Sequence, residues 1–445
     1  ASVLDLLAAV DITVGSVTAT TVNLEAAGAI NEAGADVGAD ITATTVTLTA
    51  GTGIGDVQRP EITAGQVTAE TTGAGNIRFA MIGDANVDVT AANGAITVVS
   101  DANLTVDSAV SSTDSDANDI SLTAAGDIVV DQINAGSTGD VFLDAGAAVN
   151  SADALALVVA DVLDIEAVTG IGSVAQPFLT DVNTLDAGVT GVGDIFAMDV
   201  GDVIAKLEVF DGDIILGADG DVNVYSALIS TDDDNNDVTI VSDNGDVTVR
   251  SINAGTQGDV EIEATNGAIL DDGTTQKILG DELALTAATG VGDGLRALDT
   301  NVNALEAHVT GIGDLYVKNA NTIDLLDVDT SDGLISVEAA GDIWASDVQT
   351  LTDDDANDII LKTTLGGDII IGQILIGTQF DTITPYYHAN SGDVELRATG
   401  IGAEIHQGAV GVMADDLLMV ANAGIGTFGS INTAVNAIDA TVNAT

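Results

Sequence analysis

The sequence predicts an all-β chain wound as a parallel β-solenoid with rungs of about 20 residues. Three observations carry this: a composition suited to strands, Gly-Asp turns that punctuate short alternating runs, and a short repeat nested in a long one. The chain has 445 residues, 46% of them apolar, with 50 glycines and 3 prolines. Val, Ile and Thr are plentiful, while the charged residues that coat solvent-facing helices are scarce. So apolar a chain can bury a core, which argues against disorder.

Charge narrows the function classes. There are 70 acidic and 9 basic residues, for a net charge of −61. Nucleic acid and anionic membrane surfaces are both bound by clustered Lys and Arg, so neither is expected as a partner. The longest apolar runs, such as Leu155 to Ala160, fall far short of the roughly 18–20 residues that span a bilayer, so no transmembrane segment is expected. Without cysteine there is no disulfide or thiolate–metal framework.

Strands come next. Asp246 to Arg250 and Gly258 to Glu263 alternate branched and polar residues, placing one set on each face. Gly-Asp followed by Ile, Val or Leu recurs, for instance at Gly126, Gly139, Gly212, Gly245 and Gly367. Glycine accepts the corner and Asp bonds nearby backbone, so this dipeptide reads as a turn that opens a strand.

The repeats give the architecture. Ile133 to Val141 returns as Ile252 to Val260, and Thr113 to Ile120 returns at Thr231 to Val238 and Thr352 to Ile359. The spacing of about 120 residues gives roughly three and a half copies along residues 1–445, read as one continuous rod. Inside each copy, paired Thr-Gly-x-Gly elements begin at 52 and 72, 169 and 190, and 289 and 310. Six rungs of about 20 residues would fill one unit, and some 22 rungs stacked at about 4.8 Å would make a rod on the order of 100 Å long. Tandem immunoglobulin-like β-sandwiches are the alternative; the nested period, the single Trp344 and the lack of linkers argue against them. Both ends fall inside a repeat and no signal peptide is visible, so the expectation is a segment of a longer repetitive polypeptide.

The Gly-Asp-Ile and Gly-Asp-Val strands, the Thr-Gly-Ile-Gly turns and the Asn-Gly-Ala-Ile elements at Asn93 and Asn266 resemble large secreted bacterial surface exoproteins of the filamentous-haemagglutinin-like adhesin class. The resemblance implies a right-handed parallel β-helix, an extracellular or cell-surface location, and an adhesive or scaffolding role. The partners then expected are extracellular glycans and surfaces, or other copies of the chain meeting end to end or laterally.

Two features are candidate sites. Asp114, Asp116, Asn118 and Asp119 form an acidic turn that recurs as Asp232, Asp234, Asn236, Asp237 and as Asp353, Asp355, Asn357, Asp358. Alternating Asp and Asn oxygens match the first three ligands of a calcium loop, making Ca²⁺ the candidate cofactor. The match stops there, because Asp stands at the sixth position in place of Gly and no Glu stands at the twelfth. The other reading is a solvated corner whose carboxylates face water. The second feature is an insertion at 380–391 in the third copy, whose Phe380, Tyr386, Tyr387 and His388 are suited to stack on a sugar or a neighbouring subunit.

No catalytic arrangement emerges. Carboxylates are too many for any pair to be informative, and basic residues such as Lys206, Arg250 and Arg397 stand isolated. His308, His388 and His406 are lone, with surface or turn roles expected. The expectation is a non-enzymatic structural or adhesive segment of an extracellular surface or biofilm-matrix fibre. The alternatives are a calcium-dependent filament or surface-lattice subunit and a carbohydrate-binding or carbohydrate-processing β-helix.

Overall fold

Alternation in sequence becomes alternation of burial. In a computed structural model, which describes residues 2–34, 38–275, 277–377 and 391–443, the strand Thr45–Ala50 buries Val46, Leu48 and Ala50 and turns its three threonines outward. The same phase holds in Ile96–Ser100, Val238–Ser242 and Ile335–Ala339. Among the described residues there is no helix, and the chain winds as a parallel β-solenoid of about 19 turns with rungs of about 22 residues. Parallel pairing between successive turns rules out the sandwich alternative, whose sheets are antiparallel.

The chain divides into two compact units, Ala1–Leu216 and Gly217–Thr445. In the first, one inward column runs Ile12, Ile30, Ile54, Ile77, Ile96, Ile120, Val141, Leu163, Leu185 and Ala205, each paired to the next. All ten are buried, nine of them completely. A second column passes through Val22, Val46, Val67, Val87 and Val106. In the second unit the corresponding columns run Val247, Ile269, Val291, Leu315, Ile335, Ile359, Val394 and Val238, Val260, Leu283, Leu305, Leu325. Stacked branched side chains supply the hydrophobic stabilisation, on the order of 1.5–3 kcal/mol for each fully buried one.

Turn length departs from the sequence expectation. A unit of about 120 residues, divided by rungs of about 22, is about five and a half turns instead of six. In the second unit, Val238 and Ile359, which follow equivalent acidic turns, accordingly lie on different columns. The shorter spacing of the Thr-Gly-x-Gly elements has a direct cause. They sit on adjacent rungs, and Gly75, Gly193 and Gly313 lie so close under the carbonyl oxygens of Thr52, Thr169 and Thr289 that a Cβ has no room.

Candidate functional site

The three acidic turns share one geometry, and most of their polar groups tie rungs together. Asp114 Oδ1 accepts the backbone N–H of Thr138 at 2.9 Å and its hydroxyl at 2.7 Å, while Oδ2 accepts the Ser137 hydroxyl at 2.8 Å. Asp232 likewise accepts the N–H groups of Thr256 and Gln257 at 2.7 and 3.0 Å and the Thr256 hydroxyl at 2.8 Å. Asp353 accepts both the N–H and the hydroxyl of Ser391. The side-chain hydrogen bond from Thr138, followed by that from Ser137, holds the Asp114 carboxyl below its ordinary value, and Thr256 does the same for Asp232.

The third member of each turn points inward. Asn118, Asn236 and Asn357 are buried, and their amides donate to Thr113 O, Thr231 Oγ1 and Thr352 O respectively. The fourth member begins a ladder. Asp119 Oδ1 accepts the N–H of Asp140 at 3.2 Å, and Asp140 Oδ1 accepts that of Val162 at 3.2 Å. The same chain runs Asp237 to Asp259 to Glu282, and Asp358 to Asp393 to Asp416. Gly-Asp corners elsewhere repeat the device, with Asp246 N on Asp221 and Asp368 N on Asp342, both at 2.8 Å. Each aspartate thus caps a corner N–H of the next rung, a group that the strand ladder leaves unpaired.

This stacking has an electrostatic cost. Burial raises the carboxyls of Asp140, Asp259 and Asp393 above their ordinary value, and the neighbouring Asp119, Asp237 and Asp358 add to the rise. The second members, Asp116, Asp234 and Asp355, are exposed. Asp114, Asp232, Asp233 and Asp354 are exposed as well, but each accepts backbone N–H groups, so the second member is the exposed carboxylate of each turn that is not committed to backbone.

Basic residues that look isolated in sequence are stacked in space. Lys318, Glu338, Lys362 and Arg397 occupy one register on successive rungs. Glu338 lies 3.8 Å from Lys318 and 2.8 Å from Lys362. In the first unit Lys206 lies 2.5 Å from Asp186, which raises the lysine's pKa through that hydrogen bond. These pairs are partly exposed, so each contributes little to stability.

Sequence reading missed the inward polar groups. Asp199 is fully buried, accepting the Thr180 hydroxyl at 2.7 Å and the N–H groups of Val182 and Gly201. Desolvation raises its carboxyl above the ordinary value. Glu32, Asp40 and Glu61 are also buried, with ligand-capable oxygens within 4.8 Å of one another. Period two, counted from the buried Ile30, places Glu32 inward and was the available signal. Two histidines are tied to acids: His308 Nδ1 lies 2.7 Å from Asp329, with Asp327 nearby, and His406 Nε2 lies 3.2 Å from Asp368. His406 is buried in place of standing on the surface, its ring 4.8 Å from that of Phe428. The aromatic insertion with Phe380, Tyr386, Tyr387 and His388 lies outside the described residues.

Among the described residues, the groups of three or more acidic or histidine side chains close enough to share one ion are the Glu32 and His308 clusters. None of the residues of the three acidic turns belongs to either. No protein-family model, no curated protein and no solved structure matches the chain.

Proposed function

We propose that the chain is a structural and adhesive segment of an extracellular bacterial surface or biofilm-matrix fibre. The observation that carries this reading is the aspartate-capped parallel ladder. Each turn satisfies its backbone against the next and buries branched side chains, so turns can be added by repetition. A net charge of −61 coats the coil in carboxylates and keeps it from collapsing onto its neighbours. Such a coil suits spacing and display, with contact made by side chains that project from it.

Immunogold labelling of intact producing cells, joined to electron microscopy of the purified chain, tests the reading. Label on the outer surface or in the matrix, with elongated particles, supports it. Label confined to the cytoplasm overturns it. A calcium-dependent filament or lattice is the second reading, favoured by the solvent-facing Asp116, Asp234 and Asp355 in equivalent turns. Calcium-induced particle association that chelator reverses, and that is lost when these three residues are changed to Asn, would select it.

A further inference from the structure

In the second unit the column through Val291, Leu315, Ile335 and Ile359 is entered from a corner that is hollowed out. Glycine is the cause. Gly313 lies so close under the Thr289 carbonyl, and Gly333 under that of Gly313, that neither position has room for a Cβ. Two excursions of the chain flank this bare backbone. On one side the loop after Gly292 closes on itself, Asp293 and Arg296 exchanging backbone hydrogen bonds of 2.8 and 3.1 Å. On the other, the acidic turn at 353–358 is fastened by Asn357, whose amide donates to Asp332 Oδ1 at 2.9 Å. The result is a cleft of about 600 Å³, within the size range of small-molecule sites.

Its lining combines apolar surface with fixed acceptors. Ile312 is 80% exposed there. Tyr316 is half-buried, and its ring reaches Gly294, where an added Cβ would lie 3.6 Å from the hydroxyl oxygen. Gly294 thus leaves that end of the ring bare. Asp293 Oδ1 accepts the N–H groups of Leu295 and Arg296, Asp314 Oδ1 that of Leu334, and Asp332 Oδ1 the Asn357 amide. Each carboxylate is oriented through one oxygen and offers the other, which for Asp314 lies 3.4 Å from the Tyr316 hydroxyl. None of the residues lining the cleft, all of them described, is basic.

Ionised carboxylates accept and never donate, so the matching ligand is rich in donors. A phenol ring beside an exposed isoleucine asks for an apolar face on the same ligand. A sugar ring has both, with hydroxyls around its edge and C–H groups on its faces. A net charge of −61 and the lack of a lining cation select against an acidic sugar. We propose that this cleft binds a short stretch of an uncharged saccharide, with Tyr316 and Ile312 against a ring face and Asp293, Asp314 and Asp332 accepting its hydroxyls. The site rests on the adhesive reading for its source of glycan and supplies the contact that reading needs. In the first unit Gly75 and Gly94 leave the same room under the carbonyls of Thr52 and Gly75, but Arg78 takes the place of Tyr316, so the framework recurs with a different lining.

The test is an array of immobilised neutral, amine-bearing and acidic glycans, probed with the labelled full chain in physiological salt. Binding to a subset of the neutral glycans is expected, undiminished by free spermidine. Tyr316→Ala and Gly294→Leu should each weaken it at least tenfold. A Cβ at Gly294 meets nothing closer than 3.6 Å, so the leucine fills the cleft without disturbing the fold, which an unchanged melting temperature checks. Binding that survives both substitutions overturns the proposal. So does binding confined to acidic or amine-bearing glycans, or abolished by spermidine. A native chain that binds no glycan on the array overturns it as well, while the surface-fibre reading still stands or falls on the labelling of intact cells.

Discussion

Asp199 and Asn319, 120 residues apart in sequence, do the same work in their respective units. Asp199 accepts the Thr180 hydroxyl at 2.7 Å and the Val182 N–H at 3.1 Å, and Asn319 accepts the Thr300 hydroxyl at 2.9 Å and the Val302 N–H at 3.0 Å. Both are buried. One copy of the motif carries an ionisable group at this corner and the other its neutral isostere.

The pair makes a pH prediction. Burial raises the Asp199 carboxyl, so the folded state holds that proton more tightly than the unfolded one. The stability it contributes is complete below the unfolded value of about 4 and is lost as pH rises through the folded value. Asp199→Asn removes this decline. At low pH the variant should be less stable by about 1 kcal/mol, for the lost Gly201 hydrogen bond, and it should gain on the native chain as pH rises. Urea melts between acid and neutral pH read the difference; parallel curves would refute it.

Ile120 lies between Ile96 and Val141 in the inward column and is fully buried. Truncation to Ala should cost about 2–5 kcal/mol, and truncation to Val about 0.5–1.5. Solenoid turns interact mainly with their neighbours, so the damage should stay local. Hydrogen exchange should accelerate in strands Ile96–Ser100 and Val141–Ala145 while amides near Ile30 keep their protection.

The acidic turns separate structural from solvent-facing carboxylates. Asp114→Ala removes three hydrogen bonds from Ser137 and Thr138, whereas Asp116 is exposed and makes no corresponding link. Thermal melting should show a clear loss for the first and almost none for the second. Because the Asp114 carboxyl is held low, its share of stability is present at neutral pH and lost on acidification below about 4. The two variants should therefore converge in acid.

Stacked carboxylates predict a salt response. With 70 acidic against 9 basic residues, repulsion between neighbouring rungs should be relieved by any electrolyte. The melting temperature should rise steadily with NaCl up to about 1 M, where the screening length is near 3 Å. A flat profile would show that the aspartate ladders carry little net repulsion.

Much of the fold was legible because its causes are local. Alternation in Thr45–Ala50 and the Gly-Asp corners identify strands and turns without tertiary information. The repeat then makes a solenoid the economical packing, and the stacking of Gly75 under Thr52 explains why the shorter period lies near 20. What escaped depended on register between rungs. Lys318, Lys362 and Arg397 are far apart in sequence and become one column only when the turns are aligned. Glu32, Asp40 and Glu61 were obscured by abundance, since inward-facing acids look like outward-facing ones in a chain with 70 of them.

A unit that closed after a whole number of turns would print every copy of a motif along one edge, as on a ruler. Five and a half turns act like a half-twist in a printed ribbon. In the second unit, the turn at 232–237 leads into one strand column and the turn at 353–358 into the other. Copying a single one-sided segment therefore yields a two-sided object, with equivalent carboxylates offered to neighbours in different directions.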